Sequence, residues 1–235
     1  MQKQQLIRTL VLICLVVVPA QAAKVFLQDS ASPLGTIATA GLGYGCDQNT
    51  QNTTFRQATT SQGSSAVTKT YTPSSTAPPC LWQTALAAGN QFLYWATPPL
   101  SAPWTPSGDI DYQAGCAESN TSTNAGFRFK VMRWNVATGG IEPTPIDTSS
   151  TSLECNGSNR AIAAAAPDST PAFAVGDRII IIVETMNVGT WGGNNSRTVS
   201  LVYGAASGVY GDTFVNFADT ISFASDTNNA RARVQ

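Results

Sequence analysis

Along most of this chain apolar and polar residues alternate one for one in short runs, and clusters of Gly, Pro, Asn and Ser separate the runs. A period of two sends alternate side chains to opposite faces of a strand. After residue 22 no stretch of useful length repeats the 3.6-residue apolar spacing of a helix. The pattern predicts strands over Lys24–Asp29, Leu34–Ala40, Ala66–Thr72, Leu81–Ala87, Gln91–Thr97, Gly126–Val136, Arg160–Ala165, Asp177–Met186, Thr198–Tyr203, Thr213–Phe217 and Thr220–Phe223. About eleven short strands punctuated by turns predict an all-β fold, an antiparallel β-sandwich of jelly-roll type.

Two of these strands carry the clearest signal. In Phe127-Arg128-Phe129-Lys130-Val131 apolar residues alternate with cations, which predicts one buried and one wet face. The alternation slips at Met132-Arg133-Trp134, where a bulge is expected, and Thr138-Gly139-Gly140 reads as a hairpin turn. Arg178–Val183 holds four consecutive isoleucines, so it should be a central strand buried on both faces, entered through a turn at Gly176-Asp177. The run Phe173–Ile179 resembles the approach to a strand in many jelly-roll domains. Asp47–Gln62, Thr97–Asn124 and Ile146–Asn159, rich in Thr, Ser, Asn, Gln or Pro, read as the least ordered stretches, and the tail Ala224–Gln235 reads as frayed.

The N-terminus changes where such a fold is expected to work. Lys3 and Arg8 precede an unbroken apolar run, Leu10–Val18, and Pro19 and Ala20-Gln21-Ala22 follow it. Nine apolar residues are too few to span a bilayer, and the small-x-small pattern reads as a cleavage site. Residues 1–22 are therefore expected to be a secretory signal peptide and 23–235 a single domain, secreted or at the cell surface, with no membrane span after cleavage. Cys14 would leave with the signal; Cys46, Cys80, Cys116 and Cys155 remain, an even number that favours two disulfides in an exported chain. Of the three possible pairings we favour Cys46–Cys80 with Cys116–Cys155. A zinc site is disfavoured because the chain has no histidine and no CxxC spacing.

Charge is scarce. Without Lys3 and Arg8, eleven cations face 14 carboxylates, a net charge of −3. No basic run exceeds two residues, so nucleic acid is not an expected partner. The absence of histidine also removes Ser–His–Asp and Cys–His catalytic devices from this chain, and no spacing singles out a carboxylate pair, so no enzyme is expected.

Candidate binding residues are Trp104, Asp109, Asp111 and Tyr112 on the proline-stiffened stretch 98–112, with Trp191 on a Gly/Asn loop. Aromatics beside carboxylates suit stacking on a sugar ring, and Asp109, Asp111 and Glu118 suit calcium. Against these stand plainer roles: tryptophans that plug a sandwich, aspartates that cap turns. Lys24–Gln28 is β-prone and N-terminal, so Val25, Phe26 and Leu27 are candidates for a strand donated to a neighbour's sheet edge. The expectation drawn from this is a self-associating extracellular structural subunit, a surface fibre, pilus-like filament or coat component. The alternative is a glycan-binding or adhesive module.

Overall fold

The computed structural model describes residues 22–38, 52–71, 92–120, 125–149, 155, 159–187, 198–205 and 211–224. Among them every regular element is a strand: β1 (Ala23–Ala38), β2 (Asn52–Thr59), β3 (Val67–Tyr71), β4 (Phe92–Ala96), β5 (Ile110–Glu118), β6 (Ala125–Asn135), β7 (Gly140–Ile141), β8 (Asp147–Thr148), β9 (Asn159–Ala165), β10 (Arg178–Asn187), β11 (Val199–Tyr203) and β12 (Phe214–Phe217). They form one continuous sheet in the order β3-β11-β5-β12-β1-β2-β4-β10-β6-β7, with β8 added to β6 and β9 to β5. The all-β expectation holds, but the simple antiparallel sandwich does not. The sheet is mixed, because β2 and β4 run parallel through Arg56↔Trp95 and Gln57↔Ala96.

Burial explains why this sheet folds on itself. One arm sends Val25, Leu27, Tyr112, Leu201, Val215 and Phe217 into the main core, and the other sends Trp95, Phe127, Phe129, Ile179 and Ile181. Two ring contacts tie the arms, Trp95 on Tyr203 at 5.3 Å and Tyr112 stacked on Phe129 at 5.1 Å. The four-isoleucine strand is buried on both faces, as its sequence requires. Ile179 and Ile181 join the main core, while Ile180 and Ile182 join a second cluster with Leu34, Phe55, Tyr94 and Met132. Each such side chain contributes about 1.5–3 kcal/mol on burial. The turn before it has Gly176 at φ 93, a conformation that L residues avoid.

The structure corrects several expectations. No bulge interrupts Met132-Arg133-Trp134; β6 keeps regular register with β10 from Arg178↔Trp134 to Asn187↔Ala125. Its alternation breaks because Met132 packs in the second core. Lys24–Asp29 and the described part of Leu34–Ala40, up to Ala38, belong to one strand, β1, whose register shifts either side of Ala31, near Pro33 and the positive-φ Gly35. The stretches that read as least ordered contain β2, β5 and β8. Thr220–Phe223 provides only an isolated bridge, Leu100↔Phe223.

The donated-strand expectation fails outright. Ala23–Phe26 pairs with Phe217–Phe214 of the same chain, and Phe26 and Leu27 pair on the other side with Thr59 and Ala58. Val25 and Leu27 are fully buried in their own core, and Phe26 faces outward. Trp104 is likewise no surface anchor. It is 8% exposed, its ring packs on Phe173 and Phe217, and its backbone pairs with Phe173. Trp191, Cys46, Cys80 and Leu81–Ala87 lie outside the described residues.

Cys116 of β5 and Cys155 are joined by a disulfide, with Cα atoms 5.5 Å apart. It is the one disulfide among the described residues. It closes a loop with a sequence separation of 39, for which the chain-entropy estimate is about 4 kcal/mol. Replacing both cysteines by alanine should lower the unfolding free energy by roughly 2–4 kcal/mol, read from the denaturant midpoint; an unchanged midpoint would contradict this role. Trp104→Ala should cost about 3–5 kcal/mol, as deletion of a buried aromatic does, and a loss below about 1 kcal/mol would return Trp104 to the surface.

Candidate functional site

A cleft of about 360 Å³ opens on the outer face of the sheet, lined by Lys24, Asp111, Tyr112, Gln113, Ile162, Phe214 and Asn216. Strand register builds it. Lys24 of β1 stands opposite Asn216 of β12, which stands opposite Asp111 of β5, so one polar row crosses three strands. Two residues along, Phe26, Phe214 and Gln113 form a parallel row. Positions two apart in a strand share a face, so the alternation that buries Val25, Val215 and Tyr112 brings these six side chains outward. The edge of the cleft lies on β9, where the register with β5 shifts between Ile110 and Tyr112.

The contacts within the cleft are specific. The Lys24 ammonium lies 4.0 Å from the centroid of the Phe214 ring and 5.7 Å from that of Phe26, and the two rings meet edge to face at 5.9 Å. Asn216 donates through Nδ2 to Asp111 Oδ2 at 3.2 Å. Gln113 donates to the carbonyl of Asp212 at 3.0 Å, while the Asp212 carboxylate accepts from Gln62 and from the Thr213 N–H. Burial raises the Asp212 carboxyl above its ordinary range, and these bonds together with Lys24 work against that rise.

Beneath the cleft, Tyr112 points its hydroxyl into the core and donates it to Asp147 of β8, which is 2% exposed. Burial raises the Asp147 carboxyl, the Tyr112 bond opposes the rise, and the charge of Asp168 adds to it. Asp219 shows the opposite balance. It accepts from Trp104 Nε1 at 3.1 Å, from the backbone N–H groups of Ser107 and Gly108, and from the Ser107 hydroxyl. Burial pushes its carboxyl up, but the bonds from Ser107, Gly108 and Trp104 outweigh it and hold the group below its ordinary value. Gly108 is required here because a Cβ would come within 2.9 Å of Asp219 Oδ1 and of Ala218 Cβ.

Of the residues singled out in the sequence, Asp111 and Tyr112 meet at the cleft, Tyr112 as its floor. Trp104 does not reach it, and Asp109 is exposed just before β5, its carbonyl accepting from the Ala218 N–H. Glu118 lies seven residues beyond Asp111 on β5, about 23 Å along a strand, and accepts from the Ala125 N–H. It cannot share an ion with Asp111. No group of three His, Cys, Asp or Glu able to hold a metal occurs among the described residues. Sequence reasoning missed Lys24, Gln113, Ile162, Phe214 and Asn216. The one available signal was period-two spacing, Lys24 with Phe26 and Phe214 with Asn216, on strands already expected.

No protein-family model matches this sequence, and neither does any curated protein. Among solved structures, it is similar to an α-amino acid ester hydrolase at 12% identity and a TM-score of 0.32, over 56% of this chain and 26% of that one. An aminopeptidase from the marine sediment archaeon Thaumarchaeota archaeon matches at 14% identity and a TM-score of 0.40, over 66% and 33%. A CocE/NonD family hydrolase from Staphylococcus aureus matches at 12% identity and a TM-score of 0.47, over 86% and 36%. This chain spans about a quarter to just over a third of those proteins. Their names are those of hydrolases and a peptidase, and β1 is paired within its own chain. The pairing of β1 within its own chain corrects the expectation of a filament or coat subunit built by strand donation, and the expectation that this chain is no enzyme is withdrawn. The adhesive, glycan-binding alternative loses its main residue with the burial of Trp104.

The two kinds of hydrogen-bonded carboxylate make opposite pH predictions. Asp219 is depressed in the fold, so its contribution is complete above the ordinary carboxylate value and lost as pH falls through the depressed one. Asp147 is raised, so its contribution is complete at low pH and lost as pH rises through the raised value. Asp219→Asn should therefore lower the melting temperature more near about pH 7 than near about pH 3. Asp147→Asn, whose amide oxygen still accepts from Tyr112, should remove a decline in melting temperature that the parent shows as pH rises above the carboxylate range. Parallel pH profiles for parent and variants would exclude both assignments.

Proposed function

We propose that this chain is an exported, sandwich-like β-domain that binds a small polar molecule in the cleft between Lys24, Asp111, Phe214 and Asn216. The observation that carries this reading is the pair of cross-strand rows, which bring a cation, a carboxylate, two amides and an aromatic face to one concave place. Mixed polar and apolar lining of a few hundred Å³ is the usual composition of a small-molecule site. Export is supported by the charged, apolar and small-residue pattern of residues 1–22 and by the Cys116–Cys155 disulfide. Two arms of the sheet facing across a common core support the sandwich description.

The test is a nuclear magnetic resonance titration of the whole chain from Ala23 with mixtures of amino acids, short peptides, organic acids and nucleosides. At least one compound should shift signals of Lys24, Asp111, Phe214 and Asn216 together, and Phe214→Ala should abolish those shifts while leaving the rest of the spectrum in place. Phe214 is half-buried on the outer face, so its loss should be tolerated. Shifts confined to other surfaces, or none with any mixture, would overturn the reading.

A further inference from the structure

Charged residues make up only 11% of this chain, and the described ion pairs use them elsewhere: Arg56 with Asp29, Arg128 with Glu184, and Arg133 with Glu142 and Asp177. Lys24 and Asp111 line the same cleft, yet among the described residues neither takes part in an ion pair within 4.0 Å. They are held apart by design of the sheet. β12 lies between β1 and β5, so their backbones stand two strand spacings apart, about 10 Å. Asn216 occupies the strand between them and bonds Asp111, which orients the carboxylate without neutralising it. The Lys24 ammonium leans over the Phe214 ring, toward the interior of the cleft. Asp212, the other carboxylate whose charge acts with Lys24, is 4% exposed and already accepts from Gln62 and Thr213.

Two opposite charges kept from pairing, with the Phe214 ring on the strand between them and Ile162 at the outer edge on β9, are complementary to a ligand that carries the opposite charges at its own two ends. We propose that the cleft takes a small zwitterion of the dipeptide type, its carboxylate at the Lys24 ammonium, its ammonium at Asp111 and its side chain against Phe214. An extended dipeptide spans about 7 Å, which fits the two-strand separation once the Lys24 side chain reaches inward. Each charge-assisted hydrogen bond adds specificity as well as affinity, because an uncharged end leaves its partner unsatisfied. This inference rests on the small-molecule reading of the cleft and narrows it to one ligand class.

The experiment titrates the whole chain from Ala23 with glycyl-L-leucine, its N-acetyl derivative and its C-terminal amide, by calorimetry and by nuclear magnetic resonance. Glycyl-L-leucine should bind and shift Lys24, Asp111, Phe214 and Asn216, and blocking either end should weaken binding about tenfold or more. Lys24→Gln should bind the amide as well as the acid, and Asp111→Asn should bind the acetylated peptide as well as the free one. That crossed pattern separates charge recognition from damage to the fold, since a merely destabilised variant would lose all three ligands alike. Equal affinity for blocked and free peptides would overturn the zwitterion. If a compound without paired charges shifts the four cleft residues while glycyl-L-leucine does not, the zwitterion falls and the cleft remains a binding site. If nothing shifts them, both fall.

Discussion

The backbone of Ile110–Glu118 has to satisfy three partners at once, and the rest of the molecule is arranged around how it does so. Residues Ile110–Gln113 bond β12, residues Gly115–Glu118 bond β11, and β9 covers the opposite side. At the point where one partner gives way to the next, a buried hydroxyl fills the gap: Thr213 accepts from the Gly115 N–H and donates to the Val202 carbonyl. Without that hydroxyl two buried backbone groups would be left unpaired, each costing about 1–3 kcal/mol. The small residues Ala114-Gly115-Cys116-Ala117 let the neighbouring strands approach at the changeover. Cys116 then fastens this hub to Cys155, whose N–H bonds the Ala125 carbonyl at the root of β6. The hub is thus joined to the other arm through one disulfide and one backbone hydrogen bond, and the cleft sits at its β12 end.

A chain with so few charges uses carboxylates inside as connectors rather than outside as solubilisers. Asp177, fully buried, accepts from the Ala174 and Val136 N–H groups and from Arg133, and so holds the approach to β10 against the β6–β7 turn. Asp219 does the same for the stretch between Trp104 and Gly108. Such bonds carry more than neutral ones. Asp147 and Asp212 pay the other side of the account, since burial there exceeds what their few donors return. The fold therefore contains carboxylates that favour neutral pH and carboxylates that favour acid, and its pH dependence is the difference between them.

How much of this was legible depends on whether a residue's fate is decided locally. Ile179–Ile182 announced a strand buried on both faces because no partial exposure could accommodate four isoleucines in a row. The turn at Gly139 was legible from its glycines, and the structure gives that residue φ 66. The hub itself was not, because Ala114-Gly115-Cys116-Ala117 has little intrinsic strand preference and is held by its three partners. Asn52–Thr59 was hidden for the same reason, its polar side chains being suited equally to a loop. Trp104 and Asp111 stand seven residues apart in one proline-rich stretch and read as one site, yet one is core and the other lines the cleft. Lys24, Asn216 and Asp111 read as unrelated because their row exists only through pairing between distant segments.

The parallel contact of β2 with β4 has a mechanical meaning. Along the hydrogen-bonded path of the sheet, the two arms meet through two register pairs, Arg56↔Trp95 and Gln57↔Ala96. The surrounding fastening is made by side chains: the Trp95 indole N–H donates to the Gln28 carbonyl, its ring abuts Tyr203, and Tyr203 donates to Asp29, which holds Arg56. Burial pushes the Tyr203 phenol up to about 12, so that donor persists through the ordinary pH range. A load applied across the arms would therefore fall on a few point ties, Trp95 with Tyr203, Tyr112 with Phe129 and Asp147, and the Cys116–Cys155 link, rather than spread over a ladder of backbone bonds. The molecule behaves as two stiff leaves on a narrow riveted seam, and the seam is where slow opening would begin.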